Sequence, residues 1–267
     1  MMSNCVPIRL LSFLLLVALT ATAMTAADEA PPPGWKLVWQ DEFAGTQLDP
    51  QNWSLCERGT SDWDDTMSKD PRLVEVRNGT LHLHGVVNED QKKDPPRFLT
   101  GGVTSREKFQ FHHGRLEVRA RFKNAQGAWP AIWLLGSGVR WPEGGEIDIM
   151  EHLNFEDVVY QTVHTPYTLE AKKEKPDDHS RTAPISKVDF NTYGIEWDAG
   201  QIVFLVNGRK TFTYRRDGGK GPLQWPFTRP MYVILSMQIG GKWVGKENPA
   251  HYPAHMEIDW VRAYARE

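Results

Sequence analysis

From Trp35 onward the sequence is a succession of short runs in which apolar and polar residues alternate, broken by Gly, Pro, Asn and Asp, and no stretch keeps a helical period. Side chains two apart on a strand share a face. RLEVRARF (115–122) therefore sets Leu116, Val118, Ala120 and Phe122 on one face and Arg115, Glu117, Arg119 and Arg121 on a water-facing one. In LVEVRNGTLHLHGVV (73–87), Asn78-Gly79 separates two alternating runs as a two-residue hairpin turn does. Further runs occupy 131–135, 146–151, 158–164, 193–197, 201–208, 231–239 and 256–264. Parallel strands need long crossovers, usually helical, and none is visible, so the pattern predicts an all-β fold of two packed antiparallel sheets. The charged stretch EAKKEKPDD (170–178) reads as a solvated loop.

A chain of 267 residues fits one such domain. The 31 Lys and Arg against 34 Asp and Glu provide no basic excess of the kind that tracks nucleic acid. Arg9, the apolar run LLSFLLLVAL (10–19) and the small residues ATAMTAA (21–27) follow the order of a secretory leader. The run is shorter than the roughly 20 residues that cross a bilayer. The expectation is a leader over 1–27, a Pro-rich spacer over 28–34 and one domain over 35–267, exported, free of the membrane and monomeric. Of the two cysteines Cys5 lies in that leader, which leaves Cys56 without a partner.

Chemistry concentrates in GEIDIMEHLN (145–154). On a regular strand Glu146 and Asp148 share a face with Met150, and Glu151 has the opposite parity. A β-bulge near Ile149-Met150 would restore the parity and bring three carboxylates to one face. Like charges so close force at least one to hold its proton. One ionised and one protonated carboxyl is what cleavage of a glycosidic bond requires, and a separation of about 5 to 6 Å suits retention of configuration. A solvated acidic face is the commoner meaning of such a triplet, and a calcium cage recruits loop carbonyls and waters that a strand rarely offers. The surrounding tryptophans, in GAWPAIWLL (127–135) and RWPEGGE (140–146), instead suggest a groove lined by indoles, eleven of which occur in the chain. His82 and His84 share a strand face and read as a surface pair rather than a metal site.

EIDIME, with GAWPAIW before it, resembles the active-site strand of glycoside hydrolase family 16 in its bulged form, E-x-D-x-x-E. The likeness extends through WQDEF (39–43), TSREKFQFHHGRLEVRAR (104–121), TVH (162–164), YGIEWDAGQIVFLVNG (193–208), GGKWVG (240–245) and EIDWVRAY (257–264). It implies a β-jelly-roll sandwich with a concave, glycan-binding sheet. It also implies Glu146 as nucleophile, Asp148 as assisting carboxylate and Glu151 as acid/base in a retaining endo-β-glycosidase acting on polysaccharide. Trp129, Trp133 and Trp243 would be sugar platforms, His164 a partner of substrate or of Glu151, and Arg106 a residue near the negative subsites. No cofactor is needed for the chemistry, but a structural calcium on the convex side would draw on Asp259, the Gly79 carbonyl and Glu42.

The resemblance is strongest to laminarinases, which implies β-1,3-glucan or mixed β-1,3/1,4-glucan. The stretches SDWDDTMSKDPRLVEV (61–76) and LTGGVTSRE (99–107) depart from laminarinase wording and keep a galactan-type substrate as the alternative. No basic cluster suited to sulfate stands out near the motif. A silent glycan-binding module usually lacks one acid, and all three are present here.

Overall fold

The structure, a computed structural model, describes residues 30–171 and 179–267. The leader expected at 1–27, the first two residues of the spacer and the stretch 172–178 lie outside the described residues. Two sheets pack face to face, and every pair of named strands in them is antiparallel. The larger runs β14 (Arg209–Arg215), β13 (Gln201–Val206), β12 (Asn191–Trp197), β7 (Gly114–Lys123), β16 (Ala254–Arg266), β4 (Thr80–Val87) and β3 (Val74–Arg77). To it β1 (Trp35–Asp41) adds on β16, and β5 (Phe98–Thr100) adds on β4. The smaller runs β11 (Ser180–Pro184), β10 (Val158–His164), β9 (Glu146–Glu151), β8 (Ala128–Gly136), β15 (Met231–Ile239), β6 (Gly102–Thr104) and β2 (Ser54–Leu55).

Alternation builds the core between these sheets. Leu116, Val118 and Ala120 from β7 meet Ile132 and Leu134 from β8, Ile147 from β9 and Val233 and Leu235 from β15, all of them excluded from solvent. The β3–β4 hairpin turns at Asn78-Gly79, where φ of +53° and +74° suits a primed turn and the right-handed twist of the flanking strands. One short helix, α1 (Pro166–Ala171), breaks the all-strand expectation. Thr165 and Thr168 cap it reciprocally, each hydroxyl accepting the other's backbone N–H at 3.1 and 2.9 Å. It takes in Glu170 and Ala171, which the sequence reading assigned to a loop.

The outward face of β7 is less wet than its pattern predicts. Arg115 grips Glu117 and Glu196, and Glu117 is buried; Arg121 holds Glu257 at 2.7 Å. Cross-strand ion pairs of this kind shield one another while adding little stability each. The pairing of β16 with β4 also corrects the reading of His82 and His84 as a surface pair. His82 is buried, and His255 lies opposite His84, so that three imidazoles stand with ring centres 5.9 to 6.3 Å apart.

Deleting buried methyl groups leaves a cavity, whereas removing an exposed charge does not. Leu116→Ala is expected to cost about 2–5 kcal/mol in urea unfolding and Arg121→Ala less than about 1 kcal/mol. Equal losses would mean that the inter-sheet layer is not the core.

Candidate active site

The register of β9 against both neighbours locates the bulge. On β8, Ile132 pairs with Met150 and Trp133 with Asp148; on β10, Tyr160 pairs with Glu151 and Thr162 with Asp148. Three steps along β9 therefore match two along β10, and Ile149 and Met150 both turn into the core. Glu146, Asp148 and Glu151 share the opposite, concave face. The amide of the buried Gln161 donates to the Ile149 carbonyl at 3.1 Å, and its oxygen accepts from Thr211, so the disrupted ladder is satisfied from β10 and β14. Gly145, with φ of +71°, starts the strand where an added Cβ would sit 2.5 Å from the Phe227 ring.

The three carboxyls are little hydrated: Asp148 is 2% and Glu151 8% exposed. Burial pushes Glu146 up to about 7, opposed by hydrogen bonds from the Trp141 indole N–H and from Asp148. Burial pushes Glu151 up to about 8, the Glu146 charge adding to it and the Trp129 N–H, 3.0 Å from its carboxyl, opposing it. Burial, with Glu146 and Glu151 facing it, raises Asp148 well above the ordinary carboxylate range. Asp148 thus keeps a proton and gives it in a hydrogen bond to Glu146, which favours the anion there.

Trp129 stands half-buried beside Glu151, its ring edge-on to Trp243 at 5.3 Å, and Trp243 meets Tyr160 at 5.0 Å. Trp243 is 46% exposed, so this aromatic wall is open to a ligand. Trp133 is not. Trp63 covers it edge-to-face at 4.8 Å, its N–H is spent on Ser236, and it belongs to a second small core with Cys56, Met67 and Ile234. The expected platform is therefore a packing residue, because the segment after β2 folds back over the concave sheet. His164 lies opposite Glu146 in register, its Nε2 3.4 Å from Asp148 Oδ2, so its neighbour in the trio is Asp148 rather than Glu151. Arg106 is at the rim, its guanidinium 5.7 Å over the Tyr232 ring. Trp141 and Gln161 were missed in sequence; RWPEGGE, with an indole five residues ahead of Glu146, carried the only signal for the former.

Glu146, Asp148 and His164 offer three ligand atoms within 4.8 Å of one another, the one such group among the described residues, and it shares Glu146 and Asp148 with the acid trio. The residues named for calcium do not present free acids to a cation. Glu42 is gripped by Arg262 through both oxygens at 2.7 and 2.9 Å, Asp259 is paired with Arg119, and Gly79 is a hairpin turn residue. Cys56 is a buried free thiol, pushed up to about 12 by burial.

An exposed aromatic wall beside three sheltered carboxyls on one sheet face is the arrangement of a hydrolase of O-glycosyl bonds. The chain belongs to the glycosyl hydrolases of family 16, whose model matches residues 62–262. It is 35% identical over 252 residues to a keratan-sulfate endo-1,4-β-galactosidase of Sphingobacterium multivorum, covering 92% of this chain and 59% of that protein's length. It is 31% identical over 270 residues to a β-glucanase of Rhodothermus marinus, covering 95% of this chain and 93% of the relative. The solved laminarinase of Rhodothermus marinus superposes with a TM-score of 0.77 at 28% identity, covering 87% of this chain and 98% of that one.

An acid whose pKa is raised by folding binds its proton more tightly in the folded state, so stability falls as pH climbs from the unfolded value of about 4.3 through the folded one. Glu151→Gln removes that penalty. Its melting temperature should exceed the parent's at pH 8, and the difference should shrink at pH 4. A pH-independent difference would contradict the burial described here.

Proposed function

We propose that this protein is a retaining endo-β-glycosidase in which Glu146 attacks the anomeric carbon and Glu151 protonates the departing oxygen. Glu151 then takes a proton from the water that hydrolyses the glycosyl ester. Asp148 and Trp141 donate hydrogen bonds to Glu146 and favour its anion, and Trp129 orients Glu151. Trp243, Trp129 and Tyr160 form the wall against which the apolar face of a sugar packs. The observation that carries this reading is the bulge that places Glu151 on the face of Glu146 and Asp148. The first substrate is a β-1,3- or mixed β-1,3/1,4-glucan, as the Rhodothermus relative's name suggests. A β-galactan is the second, favoured by the Trp63 segment that covers Trp133 and by the relative named for keratan sulfate. Export suits a polymeric substrate and accords with the leader read in the sequence; no helix of the described residues is long and apolar enough to cross a membrane.

Release of reducing ends from laminarin, barley β-glucan, lichenan, agarose and poly-N-acetyllactosamine tests the assignment. The parent should cleave at least one, and Glu146→Gln should abolish turnover while sparing binding. The pH profile of kcat/KM should rise as Glu146 ionises and fall as Glu151 loses its proton, both limbs displaced upward from ordinary carboxylates because burial raises both groups. Glu151→Gln should remove the alkaline limb. Parental rates in Glu146→Gln would refute the roles given.

A further inference from the structure

Beyond Glu146 the concave face continues toward a small cationic cavity. Glu146 on β9, Leu135 on β8 and Tyr232 on β15 are register partners in one row. Strands are spaced about 4.8 Å apart, so Tyr232 lies about 10 Å from Glu146 across the sheet, on the order of two sugar rings. There a cavity of about 280 Å³ is lined by Arg106, Gly136, Gly138, Val139, Arg140 and Tyr232. Arg106 follows β6, and Arg140 sits in the β8–β9 connection, so two arginines far apart in sequence line one hollow whose lining holds no acid, the Arg106 guanidinium lying over the Tyr232 ring.

Arg58, which follows β2 on the same sheet, is held by Asp94 at 2.6 Å and by the Met67 carbonyl. Arg106 and Arg140 have no ion pair among the described residues. A second cavity of about 430 Å³ adjoins through Arg106 and Tyr232, where Glu57, Asp64 and Glu107 outnumber Arg106 and Arg58, and Arg58 is already held by Asp94. Negative charge is therefore welcome in the smaller hollow and unwelcome next to it. The planar fork of a guanidinium matches the oxygens of a tetrahedral or carboxylate oxyanion, and two such groups facing one hollow gain more from an anion than from a hydroxyl.

We propose that Arg106 and Arg140 form a receptor for an anionic substituent, a sulfate ester or a carboxylate, on a sugar about two units from the bond that is cleaved. This rests on the glycosidase reading and, within it, on the galactan-type substrate instead of the neutral β-glucan, which it narrows to acidic β-linked glycans such as sulfated lactosamine chains. The sequence offers no basic cluster near the motif, and the two arginines come to one hollow only in the fold.

The test compares kcat/KM on keratan sulfate, on the same chains after desulfation, and on sialylated poly-N-acetyllactosamine. The parent should favour at least one acidic chain over the neutral one by about tenfold, which says whether sulfate or carboxylate is bound. Arg106→Ala and Arg140→Ala should each lower that ratio severalfold, and Arg140→Glu should push it below one. Screening by salt should shrink the parent's preference. The Glu146→Gln protein provides the ratio of affinities for the same chains by calorimetry, independent of turnover. A parent without preference, or a ratio unmoved in the arginine variants, overturns the receptor. Failure to hydrolyse any β-linked glycan, with the binding ratio as expected, overturns the glycosidase reading alone.

Discussion

One extra residue in β9 governs what the concave sheet can do. Were all six residues of β9 to pair regularly, with no bulge, strand parity would send Glu151 into the inter-sheet core, where an acid has no partner. With it, Ile149 and Met150 both fill the core and three carboxyls line the cleft. The irregularity is held from outside the strand: Gln161 on β10 saturates the freed Ile149 carbonyl and is itself fixed by Thr211 on β14. The larger sheet, through β14, thereby supports the geometry of the smaller one.

Crowding and burying three acids opposes stability, and the consequence is chemical differentiation. Each loses hydration, and each is treated differently by its neighbours. Trp141 and Asp148 donate to Glu146, Trp129 donates to Glu151, and His164 lies beside Asp148. Adjacent carboxyls in one strand thus acquire distinct proton affinities, the condition for one to attack while another delivers a proton. The surrounding fold tolerates this because the core beneath the trio is dry and continuous.

Features governed by local periodicity were legible in the sequence. The runs at 146–151, 158–164 and 231–239 are β9, β10 and β15 to the residue, and the bulge was located by asking what would bring Glu151, of the wrong parity, to the face of Glu146 and Asp148. β14 was overlooked, although Asn207-Gly208 announces its hairpin as plainly as Asn78-Gly79 announces that of β3 and β4. Contacts between distant segments were not legible. Nothing near Trp133 signals that Trp63 will cover it, nothing near His84 signals His255, and the arginines taken by Glu42 and Asp259 come from other strands. Arg106 and Arg140 meet only because β6 and the β8–β9 connection open onto the same hollow.

Deletion of Met150 probes the parity argument directly. The shortened strand would pair regularly with both neighbours, Ile149 opposite Ile132 and Gln161, and the final glutamate opposite Ala131 and Tyr160, still facing the cleft. This account expects the deleted protein to keep measurable glycan cleavage that Glu146→Gln abolishes, whereas removal of both Ile149 and Met150 turns the glutamate inward and ends it. A folded Met150 deletion no more active than Glu151→Gln, or a double deletion as active as the single one, would contradict it.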